Sequence, residues 1–346
     1  MKVLIIGQGL AGSFLGFSLL DRNVEVVIAD ADHPLAASRV AGGMWNPASF
    51  KRLTSSWNVQ EFLPVMFERF QKLEQVLGNS FFHPTPLYRI HASQEEVKGW
   101  EERAMHFFLD RFYKEESSAN VNESFTCAFG NSLVAEAGWV NIPAFLEAAR
   151  AYFMSKEVFR PVAIQEQDLS YAENSDGVIW NDERFDGVVV CTGNLFSEWS
   201  SFANVPILPN IGEVLEVASD MPLDSMVNFG KFMIPLGNKR FRLGATYLRD
   251  AVFTGKTESA KEELVIAFRE FGKYPIEVVD HKAGIRPTTH DRKPVLGESV
   301  SHRHFYCFGG LGSKGVMLAP YFSETLAESI IHKTALPKEI SPQRYR

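Results

Sequence analysis

"KVLIIGQGLAGSFLGFSLLDRNVEVVIAD", residues 2–30, decides the fold. Val3 to Ile6 is an unbroken apolar run, the pattern of a strand buried on both faces. Gly7, Gly9 and Gly12 follow in G-x-G-x-x-G spacing. The first glycine permits a tight turn. The second lets a pyrophosphate approach bare backbone, and the third lets a helix pack close to the strand. Leu10 and Ala11 begin that helix, whose free N–H groups and positive dipole end face the phosphates. Val24 to Ala29 reads as a second strand, and Asp30 ends it 18 residues after Gly12. An acid there binds ribose hydroxyls and repels a 2′-phosphate, so NAD or FAD is favoured over NADP.

The same stretch imitates a secretion signal, with an apolar core and a small-residue site at Ala29-Asp30-Ala31. Its only leading charge is Lys2, and Asp21, Arg22 and Glu25 interrupt it. Strand, turn, helix, strand explains the glycines better.

The rest of the chain narrows the class. It has 346 residues, enough for two domains, with a formal net charge of -7 and 28 phenylalanines. No Lys/Arg block stands out, which argues against a dedicated nucleic-acid surface, such as one for DNA, though not against a local basic groove. Three widely spaced cysteines without a CxxC suit reduced thiols in the cytoplasm. There is no G-x-S-x-G hydrolase elbow. His302 and His304 are expected to share a strand face, but no third ligand sits at a helpful spacing, so no metal is expected.

After Asp30 comes a long loop of small residues, with little in residues 38–46 to form a regular strand. Such a loop suits coverage of an extended ligand. Apolar residues at helical spacing run from Phe62 to Leu77. "FFHPTPLYRIHA" reads as one strand entered through Pro86. Asn141 and Pro143 signal a helix start, and "RFDGVVVCTGN" a buried strand ending at Thr192-Gly193. From Gly212 the pattern turns to antiparallel sheet, with a turn at Gly237-Asn238. A helix follows, with Ser259 and Glu262 as a capping box and Gly272 at its end. The chain closes on strand, glycine loop and long helix. It therefore starts and ends in one α/β domain, with a mixed or antiparallel domain threaded between.

Five blocks in order, "IIGQGLAG" with Asp30, "AGGMWNP", "VVVCTG", "AGIRPTTHDRKPVLG" and "GGLGSKGVMLAP", resemble the D-amino-acid-oxidase superfamily of FAD enzymes. The likeness is greatest to its glycine and sarcosine oxidase branch. The final blocks are also similar to the oxidase half of the bifunctional bacterial enzyme that modifies tRNA wobble uridines.

The resemblance implies a two-dinucleotide-type FAD-binding domain with a parallel sheet, at 1–78, 141–211 and 281–346. A smaller α+β substrate domain of mostly antiparallel sheet occupies 79–140 and 212–280. It implies that Gly7, Gly9 and Gly12, with Leu10 and Ala11, hold the pyrophosphate, and Asp30 the ribose. Gly42, Gly43 and Met44 match the loop under the flavin, with Trp45 and Asn46 nearby. Val162 falls where backbone meets adenine, and Thr192 and Gly193 beside the dinucleotide. Gly310, Leu311, Gly312, Ser313, Lys314, Gly315 and Val316 match the loop and helix start beside the flavin pyrimidine. Arg286 matches the arginine that binds a substrate carboxylate, Tyr247 a site hydroxyl, and Lys314 a charge near flavin or carboxylate. Sarcosine oxidases that tether flavin do so through a cysteine near position 286, and none is there, so FAD is expected to be non-covalent.

The expected activity is oxidation of a small amino acid or N-substituted glycine, by hydride transfer from Cα–H to flavin N5. The resulting imine hydrolyses, and oxygen or another acceptor takes the electrons. Such chemistry needs orientation more than a strong protein base. The partners are a small-molecule amine and an electron acceptor, with no membrane span. Two other functions fit the motifs: oxidation of an aminomethyl group on tRNA, or an NAD-linked dehydrogenase or inactive dinucleotide-binding module.

Overall fold

The computed structural model describes residues 1–32, 36–50, 54–104, 111–173, 176–249 and 252–345. Its first strand, Lys2–Ile6, is the centre of a six-stranded sheet. In spatial order the strands are Phe159–Arg160, Glu25–Ala29, Lys2–Ile6, Gly187–Val190, Phe305–Gly309 and Val295–Glu298. All run parallel except the last. The apolar run 3–6 is buried on both faces, as its sequence requires. Val3 and Ile5 pack with Phe14, Phe70, Phe145 and Phe322 from the helices. Leu4 and Ile6 pack with Phe185, Phe196 and Phe202 on the opposite face. Many of the phenylalanines are thus spent filling the two layers beside this sheet.

Ile6 lies level with both Ala29 and Val190, and Val190 with Cys307. The residues that follow, Gly7, Asp30, Cys191 and Phe308, therefore emerge together at the carboxyl edge of the parallel strands. Ligands of open α/β sheets bind at that edge.

A second, nine-stranded sheet is built on the long antiparallel pair Ile207–Ala218 and Glu277–Thr289. The helix Glu258–Arg269 covers it through Leu264 and Phe268. Strand Glu277–Thr289 runs unbroken across 280/281, where the sequence suggests a change of domain.

Several local expectations shift. "FFHPTPLYRIHA" forms two strands, Phe82–Pro84 and Leu87–Ile90, in different sheets, because Pro84 and Pro86 lack the N–H a continuous ladder needs. The helix at 258 is capped by Thr257, whose hydroxyl accepts from the Ala260 N–H, rather than by Ser259. His302 and His304 lie in the turn before Phe305, not on a strand, and His304 has φ 67°. Within residues 38–46 a short helix, Ala37–Val40, and a two-residue strand, Met44–Trp45, replace open loop. The Phe62–Leu77 pattern extends to Val59–Leu77, and Asn141 caps Ile142–Ser155 as its sequence signals.

Two tests follow from this packing. A Cβ at Gly12 would lie 1.9 Å from the Gly7 carbonyl oxygen, backbone that has no room to give. G12A is expected to lower stability by about 3 kcal/mol or more, read from urea melts.

His91 is buried with Nε2 2.8 Å from Ser132 Oγ, and burial holds its pKa below the usual imidazole value. Burial does the same to His83. Both are bases held neutral, so the unfolded chain binds more protons as pH falls. Their contribution is complete above about pH 6.5 and is lost as pH drops through the lowered folded values. Urea melts between pH 7.5 and 5 are expected to show that loss, with a shallower slope for H91N.

Candidate active site

A cavity of about 670 Å³ opens at the carboxyl edge of the parallel sheet and reaches the long strand pair. Gly7 turns the chain at φ 101°, and a Cβ there would strike the Cys191 carbonyl. The helix Leu10–Leu20 starts directly after it with Gly9 as N-cap and no side-chain cap. The C-terminal helix Gly315–His332 starts on the same cavity with Lys314 as N-cap, again without a side-chain cap. Neither helix has an acid in its first turn. Two positive helix ends thus converge on one space. Thr192 Oγ1, on the cavity wall, is buried without a hydrogen-bond partner.

Asp30 accepts from the Gln8 N–H at 2.7 Å and the Asp32 N–H at 2.7 Å. Arg150, from the helix Ile142–Ser155, donates to it at 3.0 Å. Val162 borders the same end of the cavity, half-exposed, with its N–H turned onto the Arg160 carbonyl. Ser38 from the short helix comes within 3.3 Å of the Leu10 N–H, so this segment lies against the glycine turn.

The Gly42–Gly43 step is squeezed from behind. A Cβ on Gly42 would come 2.5 Å from the Phe232 ring, and one on Gly43 2.1 Å from the Val140 carbonyl. Arg242 donates to the Gly42 carbonyl at 3.0 Å, fixing the step to the second sheet. Met44, Trp45 and Asn46 continue the wall. Trp45 is buried and stacked on Phe82, so it is a wall held from outside.

Arg286 sits opposite Asn210 in the long strand pair. Its guanidinium donates to Asn210 Oδ1 at 3.2 Å and to the Thr246 carbonyl at 3.3 Å. It lies flat against Gly212, where a Cβ would come within 2.2 Å of it. Among the described residues no carboxylate pairs with it, and burial pulls its pKa down. Arginine nonetheless keeps its charge. The Tyr247 ring lies between two cations, with Arg286 5.5 Å and Arg249 5.3 Å from its centroid. Tyr247 is 48% exposed, which puts it at the mouth.

The final glycine loop borders the cavity through Leu311, Gly312, Ser313, Lys314, Gly315 and Val316. Lys314 Nζ donates to Ser56 Oγ at 2.9 Å. Gly310 and Gly12 are not on the wall. Gly12 packs helix on strand, and Gly310, at φ 68°, packs against Thr289. All other expected site residues line this one cavity. Among the described residues no three metal-ligating side chains gather.

Sequence reasoning missed Gln8, Ser38, Arg150, Asn210, Phe232 and Arg242. Gln8 and Ser38 lay inside stretches already singled out. The others carry no local signal, because their partners are about 75 to 200 residues away.

A family model described as "DAO: FAD dependent oxidoreductase" matches residues 2–329. A relative from Marinobacter nauticus, "tRNA 5-methylaminomethyl-2-thiouridine biosynthesis bifunctional protein MnmC", is 29% identical over 96% of this chain. A protein of the same name from Haemophilus ducreyi is 22% identical over 96%. The chain spans about half the length of these relatives, 56% in both cases. Among solved structures, glycine oxidase from Geobacillus kaustophilus superposes with a TM-score of 0.79 at 20% identity, over 99% of both chains. Iminodiacetate oxidase from Chelativorans sp. BNC1 gives 0.77 at 16% identity, over 98% of both. Likeness at these identities shows the fold, and the family model supplies the rest: the chain belongs to the DAO family of FAD-dependent oxidoreductases.

Proposed function

We propose that the chain oxidises a small amino acid or an N-substituted glycine. The observation that carries this reading is Arg286, a half-buried cation on the cavity wall with, among the described residues, only neutral acceptors around it. Removing a charge from water without a counter-charge is costly. A substrate carboxylate supplies that counter-charge, and a guanidinium binds it with a two-pronged fork.

The residues present suit non-covalent FAD. Gly7, Gly9 and the first helix start would hold the pyrophosphate, Asp30 the ribose, and Val162 the adenine end. Two helix starts without side-chain caps or first-turn acids border the cavity, as a bound diphosphate and an electron-rich ring need. Gly42–Met44 and Gly312–Val316 would flank the flavin ring. The only cysteine on the wall is Cys191, whose thiol burial makes inert, so no tether is proposed. In residue terms, 1–78, 141–211 and 281–346 would hold the cofactor, and 79–140 and 212–280 would shape the substrate side.

When bound, FAD supplies a hydride acceptor. This chain's residues do the orienting. Arg286 holds the carboxylate and so fixes the Cα–H, while Tyr247 offers ring and hydroxyl at the mouth. The amine lone pair forms the C=N bond as hydride leaves Cα, and water then splits the imine. The C-terminal helix start and Lys314 would bring positive charge beside the flavin ring, which favours the reduced cofactor. Oxygen or another acceptor then takes two electrons. No helix among the described residues is long and apolar enough to cross a membrane. A cytoplasmic location is part of this proposal.

A second reading takes the amine as part of an RNA. It is favoured by two exposed groups at the mouth, Tyr247 and the Arg249 guanidinium 5.3 Å from its ring centroid, since a base can stack on a guanidinium plane. Salt-dependent tRNA binding by the purified chain would support it.

The purified protein is expected to be yellow and to release FAD on denaturation. Anaerobic mixing with glycine, sarcosine, iminodiacetate and longer amino acids should bleach the flavin with one or a few of them. A colourless protein that takes up no FAD would sink the proposal. R286A is expected to lower kcat/KM for a carboxylate substrate by roughly 10² while FAD content holds. G212A, which pushes the guanidinium from its seat, should raise KM in the same assay. Parallel loss of FAD in R286A would mean a structural role.

A further inference from the structure

The cavity's other end holds a second arginine with the opposite surroundings. Arg150 spends each nitrogen on a different acceptor. Nε donates to Gln8 Oε1 at 2.8 Å, Nη2 to Asp30 Oδ1 at 3.0 Å, and Nη1 lies 3.2 Å from Asp32 Oδ1. Its guanidinium packs over the Phe159 ring, 5.1 Å from the centroid. Gln8 is in turn gripped by the same helix, since its Nε2 donates to the Leu146 carbonyl at 3.0 Å. Leu146 and Arg150 are four apart and share a helix face. One helix face thus holds both the second residue of the glycine turn and the acid that ends the second strand.

The consequence falls on Asp30. Three donors hold its carboxylate, namely the Gln8 and Asp32 N–H groups and Arg150. A carboxylate has about four acceptor sites, so one remains. Asp30 and Asp32 are also two negative charges beside a site for a diphosphate. Arg150 bridges them, with Arg39 also paired to Asp32, and so keeps Asp30 in one rotamer before a ligand arrives.

We propose that Arg150 is a positioning residue for the dinucleotide: it fixes Asp30 so that the one remaining acceptor site reads the ribose 2′-hydroxyl of the adenosine half. This rests on the FAD reading above, and its test is separable from it. The readout is nucleotide affinity, not turnover.

Full-length protein stripped of flavin is titrated with FAD, and ADP and 2′-deoxy-ADP compete for the site. The wild type is expected to prefer ADP over 2′-deoxy-ADP by about tenfold, the effect of one hydrogen bond to a charged acceptor. R150A should weaken ADP and bring the ratio near one. R150K keeps the charge but cannot span three acceptors, so its ratio should fall between; it serves alone if R150A does not fold. A general loosening of the structure lowers both affinities and leaves their ratio unchanged. A tenfold preference that persists in the variants, or its absence in the wild type, overturns the proposal. A wild type that takes up neither FAD nor ADP overturns the flavin reading itself.

Discussion

The first helix lies against the first strand so closely that no side-chain atom fits between Gly12 and the Gly7 carbonyl. That contact directs the helix start, uncapped and free of acids, into the cavity. It also sets the height of the turn, so that the Gln8 N–H meets the Asp30 carboxylate from the neighbouring strand. The parallel register does the rest, since equal strand ends bring Asp30 and Cys191 to one edge. A single methyl group at Gly12 disturbs all of these at once.

The second sheet depends on a similar bareness. Gly212 and Gly284 face each other across the long strand pair, and each leaves room for something larger from elsewhere. Gly212 admits the Arg286 guanidinium, and Gly284 admits Val40 from the segment after Asp30. Ala36 of that segment also bridges to Ile285. The segment that follows Asp30 is therefore laid on the strand that carries Arg286, and the two ends of the cavity share one wall.

Local order was largely legible in the sequence. The run Val3–Ile6, the glycine spacing and Asp30 each have short-range causes, namely burial on both faces, turn geometry and strand length. The same holds for Asn141 as a cap. Prediction weakened wherever the cause was long-range. The prolines at 84 and 86 were visible, yet their effect was to send two strands into different sheets, and sheet membership is a tertiary fact. The helix cap at Thr257 was missed by two residues, because that threonine also donates to Glu213, 44 positions earlier. Val40 opposite Gly284 and Arg242 opposite Gly42 have no local signature. The family motifs located Arg286, but that no carboxylate among the described residues pairs with it is visible only in the fold.

Arg150 and Arg286 show why that absence matters. The two side chains are chemically the same and border the same cavity. Arg150 has two carboxylates and a glutamine amide, so its fork is filled and its remaining effect is on the orientation of its partners. Arg286 has, among the described residues, only an amide oxygen and carbonyls, which hold it in place but leave its charge unanswered. Satisfaction makes one arginine a support. The lack of it is what lets the other serve, in the proposed function, as a binding group, since an anion entering the cavity meets a guanidinium whose charge no neighbouring acid among the described residues has answered. Residue type alone does not separate these roles; the acids that the fold places beside each arginine, or withholds, do.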